Sequence, residues 1–327
     1  MRILITGSEG VLGSTLMTEL RRRGFMPYGC DLQHSSDLYV FRADISEFRQ
    51  IERVFEQVRP DLVYNLAAEF GRKNGQDFYE QLWKTNCIGT RNVIELCTRF
   101  KAKMAHASSS EAYGMADTYA AGRKLEEADL DKFAPQFHNE YALTKYTNER
   151  QITMAARNQG LDAVIFRFFN VYGPPEQYNP YRSVVCMFAY KLLTGNDITV
   201  YKNSYRTHLW IGDWARTVAN LANTKHCDLL AFNRYWPGSG STPFVPVFNI
   251  GGLGVESTEH MLNLLQEIIG KTDIPSEITV LEEEKSNVAS KEPDNNMAEI
   301  WLGHNPTKDF REGLTETVAY LRKIYGY

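Results

Sequence analysis

The seven residues Gly7-Ser8-Glu9-Gly10-Val11-Leu12-Gly13 restrict what the chain can fold into more than any other stretch. They follow Arg2-Ile3-Leu4-Ile5-Thr6, an apolar run of the kind that forms a buried parallel strand. They open Val11–Arg23, where Leu12, Leu16 and Leu20 recur at helical spacing on one face. A strand, a glycine turn and a helix N-terminus make an anion site. The first backbone N–H groups of a helix have no partner within it, and the dipole favours negative charge there. Gly7 serves the tight turn, Gly10 lets the backbone approach a pyrophosphate, and Gly13 lets helix and strand pack closely. The spacing is G-x-x-G-x-x-G, not the commoner G-x-G-x-x-G. Three glycines alone also fit a plain tight turn; their place between strand and helix favours the phosphate.

The next elements extend that reading. A second strand, Met26–Cys30, runs into Asp31, roughly 20 residues past the glycines, where a carboxylate bonds adenosine ribose hydroxyls. An acid there repels a 2′-phosphate, so the expected cofactor is NAD, not NADP. Strands are expected at Leu38–Ala43, Asp61–Leu66, Met104–Ser108 and Ala163–Phe169. Helices are expected at Ile45–Val58, Phe78–Phe100 and Tyr141–Arg157. This alternation predicts an α/β fold with a doubly wound parallel sheet of the Rossmann type, which binds ligands at the carboxyl ends of its strands. Leu66, Ala67 and Ala68 lie at such an end, where small residues let a flat cofactor lie against the strand.

Gly173-Pro174-Pro175 marks where the chain leaves the nucleotide domain. Residues 1–173 are therefore assigned to it, and 174–327 mainly to a smaller C-terminal α/β substrate domain. Segments around 207–223 and 247–251 return to the first domain. Within the second part, helices are expected at Arg182–Leu193, Asp213–Asn223, Ser257–Ile269 and Phe310–Tyr325. Short strands are expected at Ile198–Tyr201, Thr207–Ile211 and Val247–Ile250. Leu229–Pro246 reads as a long loop.

Composition excludes several classes. A net charge of −4 over 327 residues gives no broad nucleic-acid footprint. Arg21-Arg22-Arg23 ends the first helix, where cations suit the dipole. No apolar run approaches membrane-spanning length, and no signal peptide precedes the first strand. The five cysteines (30, 87, 97, 186 and 227) contain no C-x-x-C pair and read as reduced thiols. A cytoplasmic protein with no metal and no membrane partner is expected.

Tyr141, Lys145 and Ser109 carry the chemistry. Tyr141 and Lys145 are four apart and share a helical face. A free phenol, with a pKa of about 10, is a poor base at neutral pH. A nearby ammonium and a cationic nicotinamide ring both favour phenolate. Tyr141 can then take a proton from a substrate hydroxyl while hydride leaves the same carbon. Ser109 would hold that oxygen, and Lys145 would also bond the nicotinamide ribose.

With these residues in place the chain resembles the extended short-chain dehydrogenase/reductase family, specifically its nucleotide-sugar epimerases and dehydratases. The matching stretches are Thr6–Gly13, Asp31, Asp44-Ile45, Asn65–Ala68, Thr85–Thr90, Ser108–Gly114, Tyr141–Lys145, Arg167–Pro174 and Arg206–Asp213. The resemblance covers nearly the whole chain and implies an NAD-dependent enzyme acting on a nucleotide-diphosphate sugar. It implies that Asp31 and Asp44, with Ile45, contact adenosine and that Asn86 lies near the cofactor. It implies that Asn170 and Glu69 face substrate and that Arg206 grips the diphosphate, with Arg182 a second candidate. Lys291, in Ser290-Lys291-Glu292-Pro293-Asp294, stands where many members have Arg. A homodimer through the Phe78–Phe100 and Tyr141–Arg157 helices is also implied.

Members share an oxidation of the sugar at C4 to a 4-keto intermediate and differ in the next step. Epimerases return hydride to the other face. 4,6-Dehydratases use a base on the C5 proton and an acid on the C6 hydroxyl. Decarboxylases lose a C6 carboxylate. Glu111, two residues before Tyr113, stands where dehydratases and decarboxylases carry a catalytic Glu. Ser110 stands where thymidine-type dehydratases have an acidic Asp; a Ser-Glu pair occurs in mannose-type dehydratases and glucuronate decarboxylases. Because Glu111 supplies a base, 4,6-dehydration is placed first, ahead of C4-epimerisation and UDP-glucuronate decarboxylation. The rival of another class is a catalytically silent NAD-binding sensor or scaffold.

Overall fold

A computed structural model of the chain describes residues 1–223, 245–270, 275–282 and 288–327. The expected loop Leu229–Pro246 lies outside the described residues up to position 244, as does Cys227. The centre is a seven-stranded, wholly parallel sheet. Its strands are β1 (Ile3–Thr6), β2 (Tyr28–Asp31), β3 (Val40–Arg42), β4 (Leu62–Asn65), β5 (Lys103–Ser109), β6 (Ala163–Phe168) and the edge strand Val247–Ile250. Their order is Val247–Ile250, β6, β5, β4, β1, β2, β3. The chain winds one way from β1 to β3 and the other way from β4 onward, so the crevice opens between the ends of β1 and β4.

Alternation along each strand feeds two cores. Ile3 and Ile5 of β1 join Leu16, Leu20, Trp214 and Val218 on one face, and Leu4 joins Val54, Phe55, Val93 and Ile152 on the other. Trp214 and Val218 belong to the helix Ile211–Ala219, which thereby packs on the sheet beside Val11–Arg22. A third core, with Val185, Phe188, Leu265, Leu314 and Val318, holds together the helices Val184–Thr194, Thr258–Ile269 and Phe310–Tyr325 of the outer lobe. Above it, Tyr205–Arg206 pairs with Glu256–Ser257 and with Ser290–Lys291.

Two expected helices differ in a way that bears on the site. The helix expected from Ile45 starts at Phe48, because Asp44 Oδ1 accepts from the Ser46 N–H (2.8 Å) and hydroxyl (2.6 Å) and folds a turn instead. The single helix expected over Phe78–Phe100 is Tyr79–Trp83, a π-helical turn at Lys84–Gly89, and Thr90–Phe100. Among the described residues no helix is long and apolar enough to cross a membrane. Cys30, Cys87, Cys97 and Cys186 are buried thiols.

Candidate active site

The cradle begins where β1 ends. The Thr6 hydroxyl donates to Asn65 Oδ1 (2.8 Å) and accepts from the Ala67 N–H (3.1 Å), tying the ends of β1 and β4 together. Gly7 has φ +71°, and a Cβ on it would stand 2.8 Å from Ala67 Cα, so the turn and the β4 extension touch through backbone. A Cβ on Gly13 would collide with the Gly7 carbonyl. Gly10 precedes the helix, no side chain caps it, and its first turn, from Val11 through Leu12 to Gly13, carries no acid. Its N–H groups and dipole are left for an anionic ligand.

Asp31 accepts from the Glu9 N–H and the Gln33 N–H, both at 3.0 Å, which stations its carboxylate at the mouth of the glycine turn. Ile45 is buried against Gly89, and Leu66, Ala67 and Ala68 are half-buried beyond β4. An uncapped N-terminus for a diphosphate, with a carboxylate at the end of the next strand for a ribose, fits a dinucleotide. Asn86 projects from the π-helical turn. It accepts from the Glu69 N–H (2.9 Å) and donates to the Glu69 carbonyl (3.0 Å) and to Thr144 Oγ1 (3.1 Å). The bulge thus joins the β4 extension to the helix that carries Tyr141 and Lys145.

That helix, Glu140–Gln159, is capped by Asn139 Oδ1, which accepts from the Ala142 N–H at 2.8 Å. Tyr141 lies in its first turn and Lys145 one turn on. Lys145 is buried; it donates to the Ala107 carbonyl at 2.8 Å and stands 5.7 Å from the Tyr141 ring centroid. Burial brings its ammonium down to about 8. Burial pushes Tyr141 up to about 12; a hydrogen bond with Ser109 opposes this and the charge of Glu111 adds to it. In these surroundings Tyr141 is a phenol at neutral pH, with Ser109 and Glu111 as the neighbours that set its acidity. Ser109 Oγ also accepts from the Glu111 N–H at 3.2 Å, and Ser110 is buried in the turn between them.

Glu111 meets the outer lobe. Lys291 Nζ donates to Glu111 Oε1 at 2.5 Å, with the lysine side chain 2% and the glutamate 19% exposed. Burial pushes the Glu111 carboxyl up, but the charges of Lys291, Arg72 and Arg206 and the Lys291 hydrogen bond outweigh it and hold Glu111 at about 2. Arg206 pairs with Lys291 across the two strands and donates to the carbonyls of Tyr205 (2.7 Å), Val288 (2.8 Å) and Ala289 (3.0 Å). Asn170, at φ +40°, donates to the Thr207 carbonyl at 2.9 Å. Arg182 lies 4.8 Å from the Phe70 ring centroid, and Glu69 accepts from Asn74 Nδ2 at 3.0 Å.

The model of the NAD-dependent epimerase/dehydratase family matches residues 3–228. The chain belongs to that family. It is 26% identical to the UDP-N-acetyl-α-D-glucosaminuronate decarboxylase of Bacillus cytotoxicus, over 99% of this chain and 98% of the relative. It is 27% identical to the dTDP-glucose 4,6-dehydratase of Actinoplanes sp., over 98% of each. The crystal structure of the Thermotoga maritima UDP-glucose 4-epimerase with UDP-glucose has a TM-score of 0.81 and 26% identity, covering 99% of this chain and all of that one. This epimerase/dehydratase family member is thus an NAD-dependent enzyme of nucleotide-sugar chemistry with the expected Rossmann-type sheet.

Within the family member, the structure brings Ser109, Glu111, Tyr141 and Lys145 to the end of β5 and adds Lys291 from the outer lobe. Arg72, whose charge acts on Glu111, is singled out by no sequence motif. It opens the short helix Arg72–Asp77, and its signal is modest: the basic pair Arg72-Lys73 shortly after the end of β4.

Proposed function

We propose that this family member removes the C6 carboxyl group of a nucleoside-diphosphate uronate after oxidation at C4. The observation that carries the reading is the charge of the pocket at Glu111. The Glu111 carboxylate is paired with Lys291 and feels the charges of Arg72 and Arg206, an electropositive setting that favours an anionic group such as a carboxylate of the sugar. Dehydration, placed first on sequence, asks Glu111 to take a proton and a neighbouring acid to protonate the C6 hydroxyl. A carboxylate held at about 2 is a weak base, and Ser110 stands where the acid would be.

Bound NAD supplies hydride acceptance at C4 and its later return, so the sugar sees no net oxidation. With a positively charged nicotinamide ring beside it the Tyr141 phenol would ionise, and the phenolate would take the C4 hydroxyl proton. The C5–C6 bond then breaks, its electron pair forms an enolate with the C4 ketone, and carbon dioxide leaves. Ser109 and Tyr141 hydrogen-bond the oxygen on which charge develops. Glu111 disfavours a charged carboxylate more than the neutral product that departs. Lys291, whose ammonium burial brings below the ordinary lysine range, returns a proton to C5. The family relative that acts on a UDP-linked uronate supports uridine as the base.

A homodimer is part of this reading: Phe78, Tyr79, Ile88 and Met154 are exposed apolar side chains on or beside the two helical segments expected to pair. The reaction is tested by incubating the NAD-loaded enzyme with UDP-glucuronate and UDP-glucose and weighing the products. Loss of carbon dioxide from the uronate is expected. Loss of water, or an isomer of unchanged mass, overturns decarboxylation in favour of dehydration or epimerisation.

A further inference from the structure

We infer that Lys291 changes partner in each cycle: Glu111 holds it while the site contains no anion, and the C6 carboxylate of the sugar takes it when substrate binds. The inference rests on the uronate reading above. Three observations carry it. First, the Lys291 backbone is fixed, because Ser290–Lys291 pairs with Tyr205–Arg206. The flanking segment is bound to the inner domain through Ala289 N–H to Asp117 Oδ2 (2.8 Å), Leu125 N–H to the Glu292 carbonyl (2.7 Å) and Asp294 N–H to the Leu125 carbonyl (2.9 Å). Only the tip of the side chain is left to shift. Second, the Glu111 N–H donates to Ser109 Oγ at 3.2 Å, which puts the Glu111–Lys291 contact next to the group that would hold the sugar's C4 oxygen. Third, Arg206 is directed onto three backbone carbonyls, whereas the Lys291 ammonium bonds the Glu111 carboxylate, a group that a second carboxylate can replace like for like.

Glu111 is then a resident competitor for the substrate carboxylate. A neutral sugar gives Lys291 no reason to leave it, whereas a uronate replaces one carboxylate by another and leaves the displaced Glu111 charge close by. The pair acts as a selectivity filter at the sugar, separate from diphosphate recognition.

The test is calorimetry on the NAD-loaded enzyme in a Tyr141→Phe background, which prevents turnover. Glu111→Gln should tighten binding of UDP-glucuronate by about tenfold, the order of one partly screened charge contact, and leave UDP and UDP-glucose unchanged. In a Lys291→Met background the effect of Glu111→Gln should shrink to the remaining repulsion between Glu111 and the sugar carboxylate, well below tenfold. Equal tightening of all three ligands would mean that Lys291 passes to the diphosphate, and overturns the assignment. Weaker UDP-glucuronate binding would mean that Glu111 only holds Lys291 in place, and also overturns it. Product mass separates the two proposals. Selective tightening without loss of carbon dioxide leaves the exchange standing and decarboxylation refuted; loss of carbon dioxide without tightening does the reverse.

Discussion

Lys145 gives its ammonium to the carbonyl of Ala107 at 2.8 Å, while Tyr141, one helical turn before it, presents its ring centroid 5.7 Å away. The lysine thus fixes β5 to the helix Glu140–Gln159, apart from its proposed part in the chemistry. Its ammonium is held at about 8 by burial, so its charge is lost in mildly alkaline solution. Turnover should fall as pH rises through about 8. Stability has the opposite sign. The unfolded chain keeps the lysine proton to higher pH, so above about 8 it binds more protons than the native state, and native stability gains relative to Lys145→Met as pH rises toward the ordinary lysine value. Thermal unfolding of both proteins across that window checks it; a difference that stays flat refutes the buried ammonium.

The hydrogen bonds of Asn86 hold the π-helical turn in place. Asn86→Ala removes its contacts with the Glu69 N–H, the Glu69 carbonyl and Thr144 Oγ1. Leaving those groups without partners should cost about 2–3 kcal/mol in urea unfolding. The rate should drop along with stability, because Thr144 shares a helix with Tyr141 and Lys145. Asn86→Asp keeps the acceptor but sets a buried carboxylate against the Glu69 carbonyl oxygen, and should cost at least as much as Asn86→Ala.

Gly13→Ala tests the cradle. The added methyl meets the Gly7 carbonyl, and that backbone has no rotamer with which to yield. A stability loss of about 1–3 kcal/mol is expected from overpacking. NAD affinity should fall by more than stability does, because the displaced turn is the one proposed to hold the diphosphate. Fluorescence titration with NADH against thermal unfolding separates the two effects.

The sheet was legible in the sequence because its strands are apolar runs bounded by glycines, acids and small polar residues. Ser109, Tyr141 and Lys145 were legible because their spacing is fixed by one strand end and one helix face. Three things were hidden. The π-helical turn came from tertiary bonds of Asn86, which no periodicity carries. Strands of two residues such as Ser290–Lys291 and Tyr205–Arg206 are too short to show alternation. The Lys291–Glu111 contact joins residues 180 positions apart, so only the packing of the outer lobe reveals it.

Below the reacting groups, Arg167 and Glu149 form a fork-to-fork ion pair with both side chains at 1% exposure or less. Arg167 Nη2 donates to Glu149 Oε2 at 2.7 Å and Nε to Oε1 at 3.0 Å. Ser108 Oγ donates to the same carboxylate at 2.5 Å, and Arg167 Nη1 donates to the Tyr113 hydroxyl and the Glu127 carbonyl, each at 3.0 Å. The pair therefore joins β6, the helix of Tyr141 and both flanks of Ser109 and Glu111. Glu149→Gln leaves a buried guanidinium without its counter-charge and should cost about 3–5 kcal/mol in urea unfolding. Replacing both partners by apolar residues, Glu149→Leu with Arg167→Met, should cost markedly less, because no buried charge is left over. A double variant that is as unstable as the sum of its single variants would mean that the pair contributes through hydrogen bonds to Ser108, Tyr113 and Glu127 and not through charge balance. The coupling energy from that cycle is the quantity to measure, with Tyr113→Phe as the control that removes the hydroxyl's hydrogen bonds to Arg167, Asn249 and the Glu126 carbonyl but no charge.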